Sequence, residues 1–273
     1  MSGFSIDWLD LREDADRRAR DPRLLEMAKA WLQANPTLAS PPVVLDLGAG
    51  TGSTLRAFRH PNANSAPLAW RLVDNDKVLL NEAQRRHGDA CSLEICPMDL
   101  TEVNRLSLTG VQLVTASALF DLVSEYFIRE LATLLAEASQ LAPVGLYATL
   151  NYDGTTEWTP GHTLDKDVLQ IFNQDQHSDK GFGQALGPDA GNLIKAVFSE
   201  SGFQVHCAPT PWQLDGKDAA MVDALISGIS TAVAQHGEID SVALEEWTRF
   251  RKAHLETGTC VVGHTDLLAL PNC

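Results

Sequence analysis

Val43-Val44-Leu45-Asp46-Leu47-Gly48-Ala49-Gly50-Thr51-Gly52 starts as a short apolar run with β-branched side chains and ends in three alternating glycines. A run of this kind reads as a buried parallel strand feeding a tight turn, because a strand covered on both faces needs no polar alternation. Thr51 to Arg59 then reads as a helix. Strand, glycine turn and helix together form the opening of a nucleotide-binding βα unit.

The same rhythm continues outward. Leu68 to Val73 is predicted as a second strand and Lys77 to His87 as a second helix. Ser92 to Cys96, Val111 to Ala116 and Val144 to Leu150 are the next strands, with an amphipathic helix from Ser124 to Ala142 before the last of them. Such alternation implies parallel strands joined by right-handed crossovers, with ligands beyond the strands' carboxyl ends. Upstream, about 6 to 34 shows helical spacing, divided at Pro22 with Asp21 as cap. Asn35-Pro36 and Pro41-Pro42 bracket a loop. Downstream, 151 to 186 is polar and glycine-punctuated and reads as an irregular insertion. A helix from Pro188 to Ser201, a strand from Phe203 to Ala208, helices at Asp218 to Gln235 and Ser241 to Thr257, and a strand from Thr259 to Leu268 complete the chain. The expected fold is α/β: a doubly wound, mostly parallel seven-stranded sheet with helices on both faces, in a single domain.

Two ligand readings compete at the glycine turn. A dinucleotide site wants a third glycine where this chain has Ser53. The glycines instead fall at Gly48, Gly50 and Gly52, after Asp46. This string resembles motif I of the class I, Rossmann-like S-adenosylmethionine-dependent methyltransferases. The resemblance implies S-adenosylmethionine as cofactor, its methionine part passing close to the backbone of Gly48, Ala49 and Gly50, with Asp46 orienting its amino group. It also implies that Asp74, with Asn75 beside it, accepts the ribose hydroxyls. A carboxylate with two acceptor oxygens suits a vicinal diol. Asp99 stands at the family's adenine-contacting position, with the Leu100 backbone beside it, and Ala116 leaves room for the donor. Motif-level likeness covers about 40 to 150. Leu11 to Asp16, Thr115 to Ser124 and Asp179 to Gly183 also look like a bacterial group of these enzymes.

Methyl transfer from a sulfonium depends largely on positioning, so no nucleophile or metal cluster is required. The acceptor is expected over the fourth and fifth strand ends. Asp121 reads equally as an acceptor contact or as a helix cap. Tyr152 and Asp153 form a candidate polar pair. His162, His177 and Asp179 read singly as loop residues, and no ligand spacing joins them as a metal site. The segment 1–40 is read as a helical lid, 41–150 as the donor-binding half, and 151–187 with 210–258 as acceptor-side insertions.

The chain has 273 residues, 44% hydrophobic, enough for a large core. Its 36 acids against 21 bases give a net charge of -15, which disfavours nucleic acid and anionic membranes as partners. Five cysteines in no framework spacing, no signal-like start and no membrane-length apolar run predict a cytoplasmic protein with reduced thiols. The sequence therefore points to a methyltransferase with a small-molecule acceptor. An NAD(P)-dependent oxidoreductase and a non-catalytic S-adenosylmethionine-binding protein remain the alternatives.

Overall fold

Apolar residues on successive positions of Val43–Leu47 and Val111–Ser117 point to opposite faces and are buried on both, which requires helices above and below. The computed structural model describes residues 4–35, 41–59 and 67–272 and shows this arrangement. The parallel strands are β1 (Val43–Leu47), β2 (Ala69–Asp74), β3 (Ser92–Pro97), β4 (Val111–Ser117) and β5 (Gly145–Thr159). With β6 (Phe203–Pro209) and β8 (Thr259–Pro271) they form a sheet in the order β3-β2-β1-β4-β5-β8-β6. A short β7 (Trp212–Leu214) pairs with β8 off this path. Strand β8 runs antiparallel to β5, β6 and β7.

One face is covered by α2 (Pro22–Ala34), α3 (Ser53–Arg59) and α4 (Lys77–His87), whose Leu24, Leu32, Phe58 and Leu80 pack on Val44, Leu72 and Tyr147. The other is covered by α5 (Glu125–Ser139) and α7 (Ala190–Glu200), through Phe127, Leu131 and Phe198 on Leu45, Val114 and Leu146. Each fully buried Leu or Phe stabilises the fold by roughly 1.5–3 kcal/mol. A third cluster joins α1 (Ile6–Ala19), α6 (Asp165–Gln176), α8 (Ala219–His236) and α9 (Ser241–Ala253) over Tyr152, Trp212 and Val262. It forms a cover at the strands' carboxyl ends. Among the described residues, no helix is long and apolar enough to cross a membrane.

Most expected elements appear within a few residues of their predicted bounds, including the break at Pro22, where the Asp21 side chain accepts from Leu24 N at 2.7 Å. Pro36, in the expected loop, lies outside the described residues, as does Cys273. Among the described residues there are eight strands rather than seven, because β7 is three residues long and too short to show periodicity. The expected irregular insertion is largely regular: β5 continues to Thr159 and α6 follows. Beyond Tyr152 one side of β5 is exposed and the other only partly shielded, so most of its residues are polar and the stretch carries no apolar run.

Candidate functional site

The turn after β1 is built by geometry that few residues tolerate. Gly48 and Gly50 have φ of +60° and +53°. The space is also tight: a Cβ on Gly48 would meet Leu119 at 3.2 Å, and one on Gly50 would meet Leu9 at 3.1 Å. Backbone amides then tie the turn to β2. Ala49 N donates to Val73 O at 3.1 Å, and Gly50 N donates to Asp74 Oδ2 at 2.9 Å. The other Asp74 oxygen accepts from Asp76 N at 2.9 Å.

This turn is one wall of a cleft of about 1240 Å³. Gly48, Ala49, Gly50 and Thr51 lie on that wall, Asp74 and Asn75 beside them, and Leu100 below. Ser117, Ala118 and Leu119 continue it from the end of β4. Leu9, Arg12 and Asp16 of α1 roof it, and the segment Asp179 to Phe182 closes the far side. Ala118 holds a left-handed φ of +51° while its amide donates to Thr149 O at 2.9 Å, a strained bend at the rim.

Helix α1 is clamped across the opening from both flanks. Arg86 of α4 donates to both Asp10 oxygens at 2.6 and 2.8 Å, and Arg56 of α3 bonds Glu13. On the other flank Arg18 donates to Asp218 at 2.7 Å. The inward-facing Arg12 is 7% exposed. Its Nε donates to Asp16 Oδ2 at 2.9 Å, Trp212 Nε1 donates to Asp16 Oδ1 at 3.0 Å, and the guanidinium lies 5.2 Å from the Trp212 ring centroid. His264 packs on the same ring at 4.5 Å, and burial, reinforced by Arg12, pushes its pKa down to about 3.

The cleft therefore unites Gly48, Ala49, Gly50, Asp74, Asn75 and Leu100 of the sequence reading. Other expected residues lie elsewhere. Asp46 sits behind the turn, 1% exposed, where Thr115 Oγ1 donates to it at 2.7 Å. Burial pushes its pKa up to about 7, against the pull of Thr115 and Arg20. Ala116 is buried beneath the rim and does not line the cleft. Asp99 is exposed; it caps a turn over Leu100–Arg105, and bonds from Thr101 N and Oγ1 hold its carboxyl below the usual range.

None of the expected acceptor residues lines the cleft. Asp121 lies behind the Leu119–Leu122 wall, its Oδ1 buried without a hydrogen bond and its pKa raised by burial to about 6. Tyr152 is buried and its hydroxyl donates to Asn173 Oδ1 at 2.8 Å. Asp153 is exposed and bonds Thr155 N and Oγ1 at 3.0 and 2.7 Å. His162 and His177 also lie off the cleft. Leu9, Asp16, Lys180 and Phe182 line it. For Phe182 the glycines around it were a visible signal, whereas Asp16 carried none.

A mostly parallel sheet with the glycine turn at its centre and helices on both faces is a Rossmann-like α/β fold. The chain is similar to YcgJ from Bacillus subtilis at 12% identity over 93% of this chain and 100% of that one, with a TM-score of 0.52. It is also similar to the cyclopropane synthase MmaA2 from Mycobacterium tuberculosis (11% identity, 98% and 94% covered, TM-score 0.49). Magnesium protoporphyrin IX methyltransferase (ChlM) from Synechocystis PCC 6803 with bound S-adenosylmethionine is another match (12% identity, 100% and 87% covered, TM-score 0.43). At these identities the likeness shows the fold alone. No family model matches the chain, and no curated protein matches it.

Proposed function

We propose that this chain is an S-adenosylmethionine-dependent methyltransferase with a small-molecule acceptor. The observation that carries the reading is the joint placement of the side-chain-free turn and Asp74 on one open cleft. A Cβ at Gly48 or Gly50 would press on Leu119 or Leu9, which pack beside the turn on the cleft lining. Each Asp74 oxygen uses one lone pair on a backbone amide and keeps another for a ligand. That is a fit for a ribose diol held against a bare backbone.

S-adenosylmethionine supplies an activated methyl group, which passes to an acceptor lone pair as the carbon–sulfur electron pair returns to sulfur. Asp74 and Asn75 hold the ribose, Leu100 supports the adenine, and Gly48 to Thr51 pass the amino-acid tail. Ser117 and Ala118 leave room at the rim for the transferred group. Phe182 and Leu122 give the acceptor compartment apolar walls, while α1 and the α6–α8–α9 cover exclude water. Asp46 acts from behind, fixing the turn to β4 through Thr115.

The test incubates the protein with S-adenosylmethionine and fractions of a small-molecule extract, following S-adenosylhomocysteine by mass spectrometry. Formation that depends on one fraction is expected. Donor binding without product over every fraction would instead favour a non-catalytic binding protein.

A further inference from the structure

We propose, resting on the cleft reading above, that Arg12 binds a ligand carboxylate with the free edge of its guanidinium. The side chain is 9% exposed and lines the cleft. A charge held this far from water needs partners. It has one anionic hydrogen-bond partner, Asp16, engaged through Nε. Among the described residues no protein acceptor lies within hydrogen-bond distance of Nη1 or Nη2. Four N–H donors therefore remain, in a planar fork whose geometry matches a carboxylate.

The fork is also held rigid. Asp16 fixes one edge, Trp212 fixes Asp16 through its indole N–H, and the Trp212 face supports the guanidinium. A purely structural ion pair needs no place on the lining of a cavity. Of the other cations on the cleft, Lys180 is held by Asp175 at 2.8 Å and Lys77 is exposed to solvent. The neighbouring His264 stays neutral well below physiological pH and adds no competing charge.

Two ligands can bring a carboxylate here. Leu9, one turn earlier on α1, touches the glycine wall, so the amino-acid tail of the donor is within reach. Leu122 and Phe182 line the rest of the same cleft, the compartment assigned above to the acceptor. Calorimetry separates them. S-adenosylhomocysteine and methylthioadenosine, which lacks the amino-acid tail, are titrated into the wild type, Arg12→Met and Arg12→Lys. Benzoate and uncharged benzamide are then titrated into the same proteins loaded with S-adenosylhomocysteine. The double variant Arg12→Met/Asp16→Asn, which leaves no orphaned acid, controls for folding.

The expected result is a selective loss of about 10- to 100-fold for a carboxylate ligand in Arg12→Met, with Arg12→Lys regaining only part. Loss for S-adenosylhomocysteine with methylthioadenosine unchanged assigns the donor tail. Loss of the benzoate preference with S-adenosylhomocysteine unchanged assigns the acceptor. Equal affinities in both arms overturn the proposal. If the wild type binds neither adenosyl ligand, the donor reading falls, and the benzoate arm, run on the unloaded protein, alone decides Arg12.

Discussion

Replacing Asp46 by Asn should flatten the pH dependence of stability. Asp46 is 1% exposed and its carboxyl is pushed from 3.8 to about 7, chiefly by burial. A carboxyl whose pKa is raised on folding contributes stability that is complete below 3.8 and is lost as pH rises through about 7. Between pH 5 and pH 8, linkage with those two values gives a loss of about 2–3 kcal/mol. Asparagine keeps one oxygen for the Thr115 hydroxyl and carries no charge to desolvate. Urea unfolding of both proteins at pH 5 and pH 8 measures the difference directly. Wild type should lose about 2–3 kcal/mol relative to Asp46→Asn between the two. Parallel pH profiles would show that Asp46 is solvated as well in the folded chain as in the unfolded one, and would refute the reasoning.

Asp266→Ala should destabilise by at least about 3 kcal/mol in the same assay, because Leu150 N, Asp21 N and the Thr210 hydroxyl lose a buried acceptor together. Gly50→Val should weaken S-adenosylhomocysteine at least about tenfold by calorimetry, since its Cβ would meet Leu9 at 3.1 Å and its φ is +53°. Asp99→Ala should cost S-adenosylhomocysteine less affinity than Asp74→Ala, because Asp99 is exposed and caps its own turn while Asp74 lines the cleft. Equal losses for the two would argue that Asp99 turns inward on binding.

The donor half of the fold was legible because its signals are local. A strand buried on both faces is a continuous apolar run, and the turn after it announces itself by its glycines. Asp74 and Leu100 followed from the family resemblance, which places such residues at and after the ends of the second and third strands. What escaped the sequence depends on distant pairing. Strand β7 exists through three residues on β8, and the outer half of β5 is mostly polar because one of its sides is exposed and the other only partly shielded. Asp46, Asp121 and Tyr152 lie at or within a few residues of the strand ends predicted from sequence, yet their side chains do not line the cleft, a direction that spacing does not encode. The pairing of Arg12 with Asp16 was hidden among the alternating charges of α1, where a solvated face and an inward pair look alike.

The central claim is met most directly by calorimetry of S-adenosylhomocysteine against the wild type and Asp74→Ala, with NAD as the competing ligand. One saturable site in the wild type, weakened in the variant by about 1–3 kcal/mol for the lost ribose acceptor, with no NAD binding, is the predicted result. Absence of S-adenosylhomocysteine binding, an affinity unchanged by the substitution, or NAD binding in its place would contradict it.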